Sequence, residues 1–384
     1  MQTLQRFILL CSLKTATILI SLCLIPGLIS CTEKKPVKIG LIAGLSGRVA
    51  DLGIAARNGA ILAVEEQNQA GGIQGAKVEL LIRDNKNKEE LVRKSVKELI
   101  NLDIEALIGP MTSHMVMAAL PLANQHQLIM IGPTATSEEL TAIDDYFYRV
   151  VSSTGKYAMH HAIHLKSEMG LENLSVISDT SNPTFVNSYL HDFKATFEKL
   201  GGHIARNETF HTGTSDSLYD VAKRAIHSET EVVLIIANAM DTAILCQQIK
   251  KMSPDITIAT SEWSATEKLI ELGGRAVEGI LFHQFFNRDS TEPSYLAFRN
   301  SYLKRFGNEP GFASVVGYDS TRVALTALVN REGKDLKESM AKISTFPGVQ
   351  GPISFDRFGD TDRQTYLSTI KNGEFFILEK AHTH

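Results

Sequence analysis

Strand-like and helix-like segments alternate along nearly the whole chain from Val37 onward. Short apolar runs that end in glycine or proline precede longer segments whose apolar residues recur at helical spacing. The series runs through about 37–151 and starts again at about 174–284 without a change in composition. Because parallel strands need a helical crossover between them, this alternation predicts an α/β protein built as two halves, each with its own parallel sheet covered by helices.

Three further helical segments follow between 293 and 343, with too few strands for a third domain. We expect these helices to complete the two halves, which requires the chain to cross between them more than once. Several crossings would restrict relative motion of the halves to a hinge. The candidate crossings are 152–156, 285–288 and 345–348, and they divide the chain into a first lobe of 37–153 plus 286–345 and a second lobe of 154–285 plus 346–384.

The first 30 residues are typical of a secretory signal and are set aside from the fold. Two basic residues precede an uncharged apolar run from Thr15 to Ile25, which is shorter than the roughly 20 residues of a membrane span. The segment ends at Leu28-Ile29-Ser30-Cys31, which resembles the bacterial lipobox, where cleavage precedes the cysteine and lipid is attached to it. This predicts a lipidated tether over 31–36 that anchors the protein to a membrane outside the cytoplasm; a plain secretory signal containing a cysteine is the alternative.

Charge and cysteine content exclude two further features. The formal net charge is −4, and loss of the two basic residues of the signal takes it to −6 (−4 − 2). No basic run is present to neutralise phosphates, so nucleic acid is not expected as a partner. With Cys11 and Cys23 in the signal and Cys31 lipidated, only Cys246 remains, and we expect no internal disulfide.

Two neighbouring turns carry hydroxyl groups where strands are predicted to end. The run Leu128–Ile131 stops at Gly132-Pro133, and three hydroxyl residues precede a predicted helix at Glu138. The run Ile104–Ile108 leads in the same way to Ser113 and a helix. Free backbone N–H groups and hydroxyls at two such turns could hold a carboxylate, and ordinary Ser/Thr capping is the alternative. The candidate residues of these turns are Ser113, Thr134, Ala135 and Thr136.

Loops after the predicted strands of the second half hold further candidates. If they face the first-half turns across a cleft, Glu262 places a carboxylate opposite a carboxylate-binding site, which suits an ammonium group. A solvated turn residue is the alternative for Glu262, while Phe185 and Trp263 either wall an apolar pocket or pack in the core. The candidate residues of these loops are Phe185, Asn238, Ala239, Glu262 and Trp263.

Patterns for cofactor, metal and catalytic sites match poorly. The glycine-rich stretch Gly40–Gly47 follows the first strand, but its spacing is not the Gly-x-Gly-x-x-Gly of dinucleotide sites. His160, His161 and His164 have a spacing that could hold a metal, but nothing nearby in sequence completes a site, and we expect them on the surface. No Ser/His/Asp, P-loop or Gly-x-Ser-x-Gly arrangement is present. The sequence therefore favours a binding protein over an enzyme, with no cofactor and no metal.

Short motifs also follow one another in a definite order, namely Ile39-Gly40-Leu41, Leu45-Ser46-Gly47, Gly53, Asn58-Gly59-Ala60, Gln69 to Gly75, Asp84, Ile108-Gly109-Pro110, Ile131 to Thr136, Leu140-Thr141, Glu278-Gly279, Gly317-Tyr318-Asp319, Gly351 to Asp356 and Gly359-Asp360. Each piece is common, but the series is specific. It resembles the type I periplasmic solute-binding proteins of the branched-chain amino acid (leucine/isoleucine/valine) transport family. The resemblance covers about residues 37–380, nearly the whole mature chain.

The resemblance implies two doubly wound, Rossmann-like lobes joined by three hinge segments, with a ligand cleft between them, the Venus-flytrap architecture of type I periplasmic binding proteins. In that family, the serine matching Ser113 and the backbone N–H matching Thr136 hold the carboxylate of an amino acid. The carbonyl matching Thr134, the hydroxyl of Thr136 and the acid matching Glu262 hold its ammonium group. Closure of the lobes over the ligand gives the shape that a membrane permease recognises, and differential contacts with the two lobes drive closure.

The chain departs from the family pattern in the pocket for the ligand side chain. Where the family has tyrosines in the second lobe, this chain has Pro183 or Phe185 and Ala239, and Leu52 stands at an aromatic position of the first lobe. The resemblance thus implies that the grip on the amino and carboxyl groups is largely kept, although one hydroxyl group of the family's grip is missing. An aliphatic or aromatic amino acid fits best; an amide, a short peptide-like compound or a carboxylate without an ammonium group are the alternatives.

The expected function is that of a monomeric, extracytoplasmic lipoprotein, in the periplasm or at the cell surface, which captures an amino-acid-like solute for the permease subunits of an ABC importer. The alternative is a ligand-sensing receptor module for an amide or organic acid that signals through a partner, since the same lobes occur in receptors. No signalling domain follows in the sequence, which we take to favour delivery. An enzyme is the third possibility.

Overall fold

Five short parallel strands form the first sheet of the computed structural model, which describes residues 34–333 and 335–380. The strands are β1 (Val37–Ala43), β2 (Val78–Asp84), β3 (Ala106–Ile108), β4 (Met130–Gly132) and β5 (Phe147–Arg149). Their order is β2-β1-β3-β4-β5, and each neighbouring pair is parallel. This is the doubly wound arrangement that the alternation predicts.

Seven strands form the second sheet. They are β6 (Asn173–Asp179), β7 (His203–Phe210), β8 (Val232–Ile236), β9 (Thr257–Thr260), β10 (Leu281–Gln284), β11 (Tyr366–Lys371) and β12 (Glu374–Lys380). Their order is β12-β11-β10-β9-β8-β6-β7. The pairs β10/β11 and β11/β12 are antiparallel, so a C-terminal hairpin that the sequence analysis did not anticipate extends a parallel sheet.

Helices cover both sheets, and we call each sheet with its helices a lobe. The helices are α1 (Ala50–Gln69), α2 (Glu89–Asn101), α3 (Ser113–Gln125), α4 (Thr154–Ile163), α5 (Pro183–Lys199), α6 (Leu218–Ala225), α7 (Ala239–Met252), α8 (Glu267–Gly273), α9 (Pro293–Phe306), α10 (Phe312–Val329) and α11 (Leu336–Ala341). The last three return to the first lobe, where α10 packs against α1. The predicted fold class of two α/β lobes is confirmed.

Two glycines allow α1 and α10 to approach closely. A Cβ atom on Gly59 would lie 2.0 Å from the carbonyl oxygen of Ser314, and one on Gly317 would lie 2.1 Å from that of Ala56. Both distances are far below van der Waals contact, so any side chain at either position would force the helices apart. This contact fixes the position of the N-terminal end of α10, which brings Phe312 toward the meeting point of the lobes.

The chain crosses between the lobes three times, and Arg363 connects the crossings. The segment 150–153 links β5 to α4, the segment 285–292 links β10 to α9, and the third crossing leads into β11. The buried Arg363 guanidinium forms an ion pair with Asp319 of α10 at 3.1 Å and a hydrogen bond with the carbonyl oxygen of Val150 at 3.3 Å. It also lies over the ring of Phe285, 5.2 Å from the centroid. One side chain therefore contacts all three crossings.

The third crossing occurs later than the predicted segment 345–348. Gly359 accepts a hydrogen bond from the Arg149 backbone N–H at 3.0 Å, and Phe355 packs edge-on against Tyr148 with ring centroids 5.2 Å apart. Residues 346–360 thus lie along β5 of the first lobe, and the chain passes to the second lobe at about 361–365. The residue limits predicted for the lobes otherwise stay a prediction.

The predicted N-terminal signal and the turn at Thr134 are two further features for which the sequence analysis made predictions. The predicted signal and Cys31 lie outside the described residues. Within 34–333 and 335–380, no helix has both the length and the apolar composition required to cross a membrane. The α-helix expected after the turn at Thr134 is a single 3₁₀ turn, Glu138–Leu140, capped by the Ser137 hydroxyl, which accepts a hydrogen bond from the Glu139 N–H.

Candidate functional site

A small cavity of about 30 Å³ lies where the two lobes meet. This space is about that of one water molecule and is much smaller than the roughly 300–1,000 Å³ of small-molecule sites, so a ligand would have to hold the two walls further apart. The first lobe contributes the ends of β3 and β4 with the starts of α1, α3 and α10, and the second contributes the loops after β6 and β9. The lining residues are Leu52, Met111, Thr112, Ser113, Thr134, Asn182, Phe185, Glu262, Trp263 and Phe312.

The hydroxyl of Ser113 and the turn after β4 form the polar wall on the first lobe. Ser113 Oγ accepts hydrogen bonds from the backbone N–H groups of Thr136 and Ser137, both at 3.2 Å. Because a hydroxyl has one hydrogen and two lone pairs, Ser113 can still donate its own hydrogen. Backbone amides and a hydroxyl that converge in this way, at the N-terminal end of a long helix, favour an anion.

The buried side chain of Arg149 holds this turn in place. Its guanidinium donates to the carbonyl oxygens of Thr136 and Ser137 at 3.1 and 3.0 Å and to the Thr141 hydroxyl at 2.6 Å. It also forms an ion pair with Asp360 at 2.8 Å. The carbonyl oxygens of the turn thus bond to Arg149, while its N–H groups bond to Ser113 Oγ. Sequence reasoning missed Arg149, which is the last residue of β5.

Glu262 supplies a carboxylate from the second lobe. It starts a 3₁₀ turn, Glu262–Ser264, directly after β9, and its Oε1 accepts a hydrogen bond from the Thr136 hydroxyl at 3.4 Å. The residue as a whole is partly exposed, but Oε2 is buried and has no hydrogen-bond partner among the described residues. Burial raises the pKa of Glu262 to about 8, against the smaller opposing effect of its hydrogen bonds. A cationic group in the cavity would stabilise the ionised form.

Apolar side chains form the rest of the cavity wall. Phe185 and Trp263 of the second lobe pack edge-to-face with ring centroids 5.7 Å apart. Leu52, Met111 and Phe312 of the first lobe are each less than a tenth exposed. A site with a few converging polar groups and an apolar wall suits a small molecule that has both polar and apolar parts.

The structure brings together most of the residues predicted for the site. Leu52, Ser113, Thr134, Phe185 and Glu262 line the cavity, and Thr136 contacts two of them. The alternative role of Glu262 as a solvated turn residue does not fit a buried Oε2 atom. The assignment of these residues to ligand binding remains a prediction.

Four predicted residues do not line the cavity: Thr136, which contacts two residues that do, and Ala135, Asn238 and Ala239. Ala135 is fully buried behind the turn, and Ala239 is buried in the first turn of α7. Asn238 caps α7, and its amide contacts Asp179, Thr212 and Asp241. The lining residues that sequence reasoning did not single out are Met111, Thr112, Asn182 and Phe312. Met111 and Thr112 belong to a predicted turn, whereas Phe312 reaches the cavity only through the packing of α10.

Two of the three histidines predicted on the surface are buried, and His164 is partly exposed. His160 and His161 are buried in α4, and their rings lie 6.0 and 5.4 Å from that of the buried His283 in β10. Helical spacing placed these residues together, but it did not reveal that α4 packs against α5 and β10. Within the described parts of the chain, no group of three or more His, Cys, Asp or Glu residues has metal-binding geometry.

Comparison with known proteins agrees with this architecture. A family model described as periplasmic binding protein matches residues 36–374. The leucine-, isoleucine-, valine-, threonine- and alanine-binding protein of Pseudomonas aeruginosa is 22% identical over 351 residues, which cover 89% of each chain.

Solved structures share the fold. The substrate-binding protein LivJ of a branched-chain amino acid transporter from Streptococcus pneumoniae, in complex with isoleucine, has a TM-score of 0.82 at 23% identity and covers 90% of this chain and 100% of its own. An ABC transporter solute-binding protein from R. palustris in complex with benzoate has a TM-score of 0.80 at 20% identity, covering 90% and 96%. Because the family model spans well over half of the chain, the protein belongs to the periplasmic binding protein family, a family of solute-binding proteins.

Proposed function

We propose that this protein is an extracytoplasmic, lipid-anchored solute receptor that captures an apolar amino acid between its lobes and delivers it to the permease of an ABC importer. The observation that supports it most directly is the buried Oε2 of Glu262, which lacks a partner among the described residues and faces a site opposite the Ser113 hydroxyl and the Thr136 amide. An acceptor on one side and donors on the other suit the ammonium and carboxylate groups of an amino acid.

The proposed pose uses every part of the cavity wall. The ligand carboxylate accepts from the Ser113 hydroxyl and replaces Ser113 Oγ as the acceptor of the Thr136 N–H, while its ammonium group donates to Glu262 and to the Thr134 carbonyl oxygen. The ligand side chain lies against Phe185, Trp263 and the apolar residues of the first lobe. Such a ligand touches both lobes and therefore favours the closed state by its differential contacts, which is how binding would present a distinct surface to the permease.

Relatives favour an amino acid but leave a second candidate. The name of the Pseudomonas aeruginosa protein and the isoleucine bound to the Streptococcus pneumoniae protein support an amino acid. The benzoate complex supports a carboxylic acid without an ammonium group. Glu262 separates the two, since benzoate would bring no cation to a buried carboxylate and would require it to stay protonated.

The experiment is a thermal-shift screen of residues 32–384, refolded to remove carried ligand, against L-leucine, L-isoleucine, L-phenylalanine and benzoate. A ligand at a hundredfold excess over its Kd stabilises the native state by about 2.7 kcal/mol, so a true ligand raises the melting temperature clearly. We expect the amino acids to do so and benzoate not to.

Glu262→Gln is the decisive variant in this screen, with Glu271→Gln as its control. Glu271 lies one helix further on, is exposed and pairs with Lys268 outside the cavity. We expect Glu262→Gln to remove the response to amino acids and Glu271→Gln to keep it. If amino acids still bind Glu262→Gln as they bind the wild type, the proposed ammonium site is wrong; if benzoate alone shifts the melt, the ligand class is wrong.

A further inference from the structure

A small acidic cup lies in the second lobe, outside the ligand cavity. It consists of Asp179 at the end of β6, Asp241 in the first turn of α7, Thr212 and Asn238. Both carboxylates are buried, with Asp179 fully buried and Asp241 1% exposed. The Thr212 hydroxyl contacts both, and the Asn238 amide donates to Asp241 Oδ2 at 2.7 Å. Buried carboxylates this close together are stabilised by hydrogen-bond donors and by a cation, and Ser181 and the Thr212 N–H supply further donors to Asp179.

Arg48 of the first lobe supplies that cation. It lies in the loop between β1 and α1, and its guanidinium forms an ion pair with Asp241 Oδ1. The Arg48 side chain is 40% exposed, whereas that of Asp241 is 2% exposed. Among the described residues, Arg48 is the cation that pairs with a carboxylate of the cup, and this ion pair joins the two lobes.

The segment that carries Arg48 also takes part in closing the ligand cavity. Asp51, three residues further, accepts a hydrogen bond from the Thr266 hydroxyl of the second lobe. Leu52 lines the ligand cavity itself. Because 48–52 is a short, continuous piece of the first lobe, the motion that brings Leu52 over a ligand also brings Arg48 into the cup.

We infer that Arg48 is a positioning residue for ligand capture, which latches the lobes in the closed state by entering the acidic cup. This inference rests on the proposed function for the ligand class, but the latch does not contact the ligand. An interaction made only in the closed state stabilises that state and slows release. It leaves the first encounter of ligand with an open cleft unaffected, so its effect falls on the dissociation rate.

The expected effect is moderate. Water can enter the open cleft and solvate both Arg48 and the rim of the cup, so the latch replaces hydration rather than adding a new charge interaction. Arg48 also remains partly exposed, where salt screens the pair. We expect loss of the latch to raise the dissociation rate by about fivefold, the factor for about 1 kcal/mol.

The test measures L-leucine association and dissociation by stopped flow for Arg48→Ala, Asp241→Asn, the double variant and Arg57→Ala. Arg57 is the matched control, because it lies on α1 nearby and its guanidinium bonds to the neighbouring Asn58 rather than to the second lobe. We expect about fivefold faster release for Arg48→Ala, an unchanged association rate, and no additional effect in the double variant. Equal dissociation rates for Arg48→Ala and Arg57→Ala would overturn the latch.

A ligand-free measurement separates this inference from the proposed function. If L-leucine does not bind the wild type, the proposed ligand class fails, and small-angle scattering of the ligand-free proteins then tests the latch alone. A larger radius of gyration for Arg48→Ala than for wild type and Arg57→Ala, with the difference lost at 1 M salt, supports it. The same radius in all three would overturn it.

Discussion

Two acids, the fully buried Asp319 at the lobe crossings and Glu262 in the cavity, whose Oε2 atom is buried, have different electrostatic partners. Asp319 forms an ion pair with Arg363 at 3.1 Å and accepts a hydrogen bond from the Val349 N–H at 3.0 Å. Glu262 has one long hydrogen bond to Thr136 and an Oε2 atom without a partner among the described residues. The first carboxylate is satisfied within the fold, whereas the second is satisfied only when something else supplies a cation.

This difference separates a structural site from a binding site. A paired buried charge is strongly destabilising when one partner is removed, but it contributes the same in every ligand state. An unpaired buried acid instead keeps its proton until a partner arrives, so its charge depends on occupancy. Substitutions at the crossings should therefore change folding, and substitutions in the cavity should change affinity.

The largest expected effect is the loss of the cation at the crossings. Arg363→Ala leaves Asp319 buried without its partner and removes the bonds of Arg363 to the carbonyl oxygens of Val150 and Gln350. We expect the free energy of unfolding to fall by about 3–5 kcal/mol, measured by urea denaturation. Arg299→Ala is the control, because its pair with Glu309 lies at the surface and should be worth less than about 1 kcal/mol. A loss below about 1 kcal/mol in Arg363→Ala would contradict a structural role for this pair.

The second-largest expected effect is a change in ligand affinity. The double replacement Ser113→Ala with Thr136→Ala removes the hydroxyl proposed to donate to the ligand carboxylate and the hydroxyl that the family resemblance places at the ammonium group. We expect Kd for L-leucine to rise by about 30- to 150-fold, or 2–3 kcal/mol, measured by titration calorimetry. Ser46→Ala with Thr180→Ala is the control, since both hydroxyls are exposed and lie outside the cavity. Unchanged affinity in the first pair would remove these turns from the site.

A third test uses the pH dependence of affinity to determine whether Glu262 ionises when a cationic ligand binds. Burial raises its pKa to about 8, so below pH 8 the ligand-free protein holds a proton that an ammonium ligand must displace. Affinity for L-leucine should rise by up to about tenfold per pH unit between pH 6 and 8, with release of up to one proton, or about 1.4 kcal/mol per unit. The free energy of unfolding of the ligand-free protein should depend on pH in the opposite direction. A carboxyl group whose pKa is raised in the folded state makes the protein less stable as pH rises from about 4.5 through 8.

Calorimetry in two buffers of different ionisation enthalpy measures this proton release. Glu262→Gln should remove the pH dependence, whereas Glu271→Gln should retain it. Affinity that falls as pH rises would instead indicate a ligand that requires the protonated acid, as a carboxylic acid without an ammonium group would.

The sequence predicted the regular parts of the fold well. The strand Val232–Ile236 lies in the second predicted series and is an unbroken apolar run, and the helix Pro293–Phe306 is one of the three predicted later helices and starts with proline in its first turn. The hairpin of β11 and β12 was missed, although its turn, Asn372-Gly373, has the positive φ values of 57° and 74° that such two-residue turns require. The two-residue turn therefore indicates the hairpin more clearly than the apolar pattern of the strands on either side of it.

The site was predictable only where it follows from strand ends. Ser113 and Thr134 stand directly after predicted strands, and parallel strands bring their carboxyl ends to one edge. Phe312 and Arg149 depend on packing between elements far apart in sequence, which periodicity does not encode. The same limit explains the histidines of α4, whose spacing was visible while their burial against α5 and β10 was not.

The smallest predicted effect is a pH-dependent change in stability caused by one of these histidines, His161. It extends the comparison to a buried group that stays neutral whether or not a ligand is bound. His161 bonds to the Tyr189 hydroxyl at 2.8 Å, and burial, with a smaller contribution from the nearby His164, lowers its pKa to about 3. Because the unfolded chain binds a proton at a pKa of 6.5 and the folded chain does not, stability is full above pH 6.5 and falls as pH decreases, by about 1.4 kcal/mol at pH 5.5.

We expect His161→Gln to be less stable than wild type at pH 7.5, because it disturbs a packed core, but to lose less stability between pH 7.5 and 5.5. Replacement of the exposed His126 by glutamine is the control and should keep the wild-type slope. Urea denaturation at several pH values measures all three. Parallel slopes for wild type and His161→Gln would mean that water reaches this ring in the folded protein, and burial would then no longer distinguish it from an ordinary surface histidine.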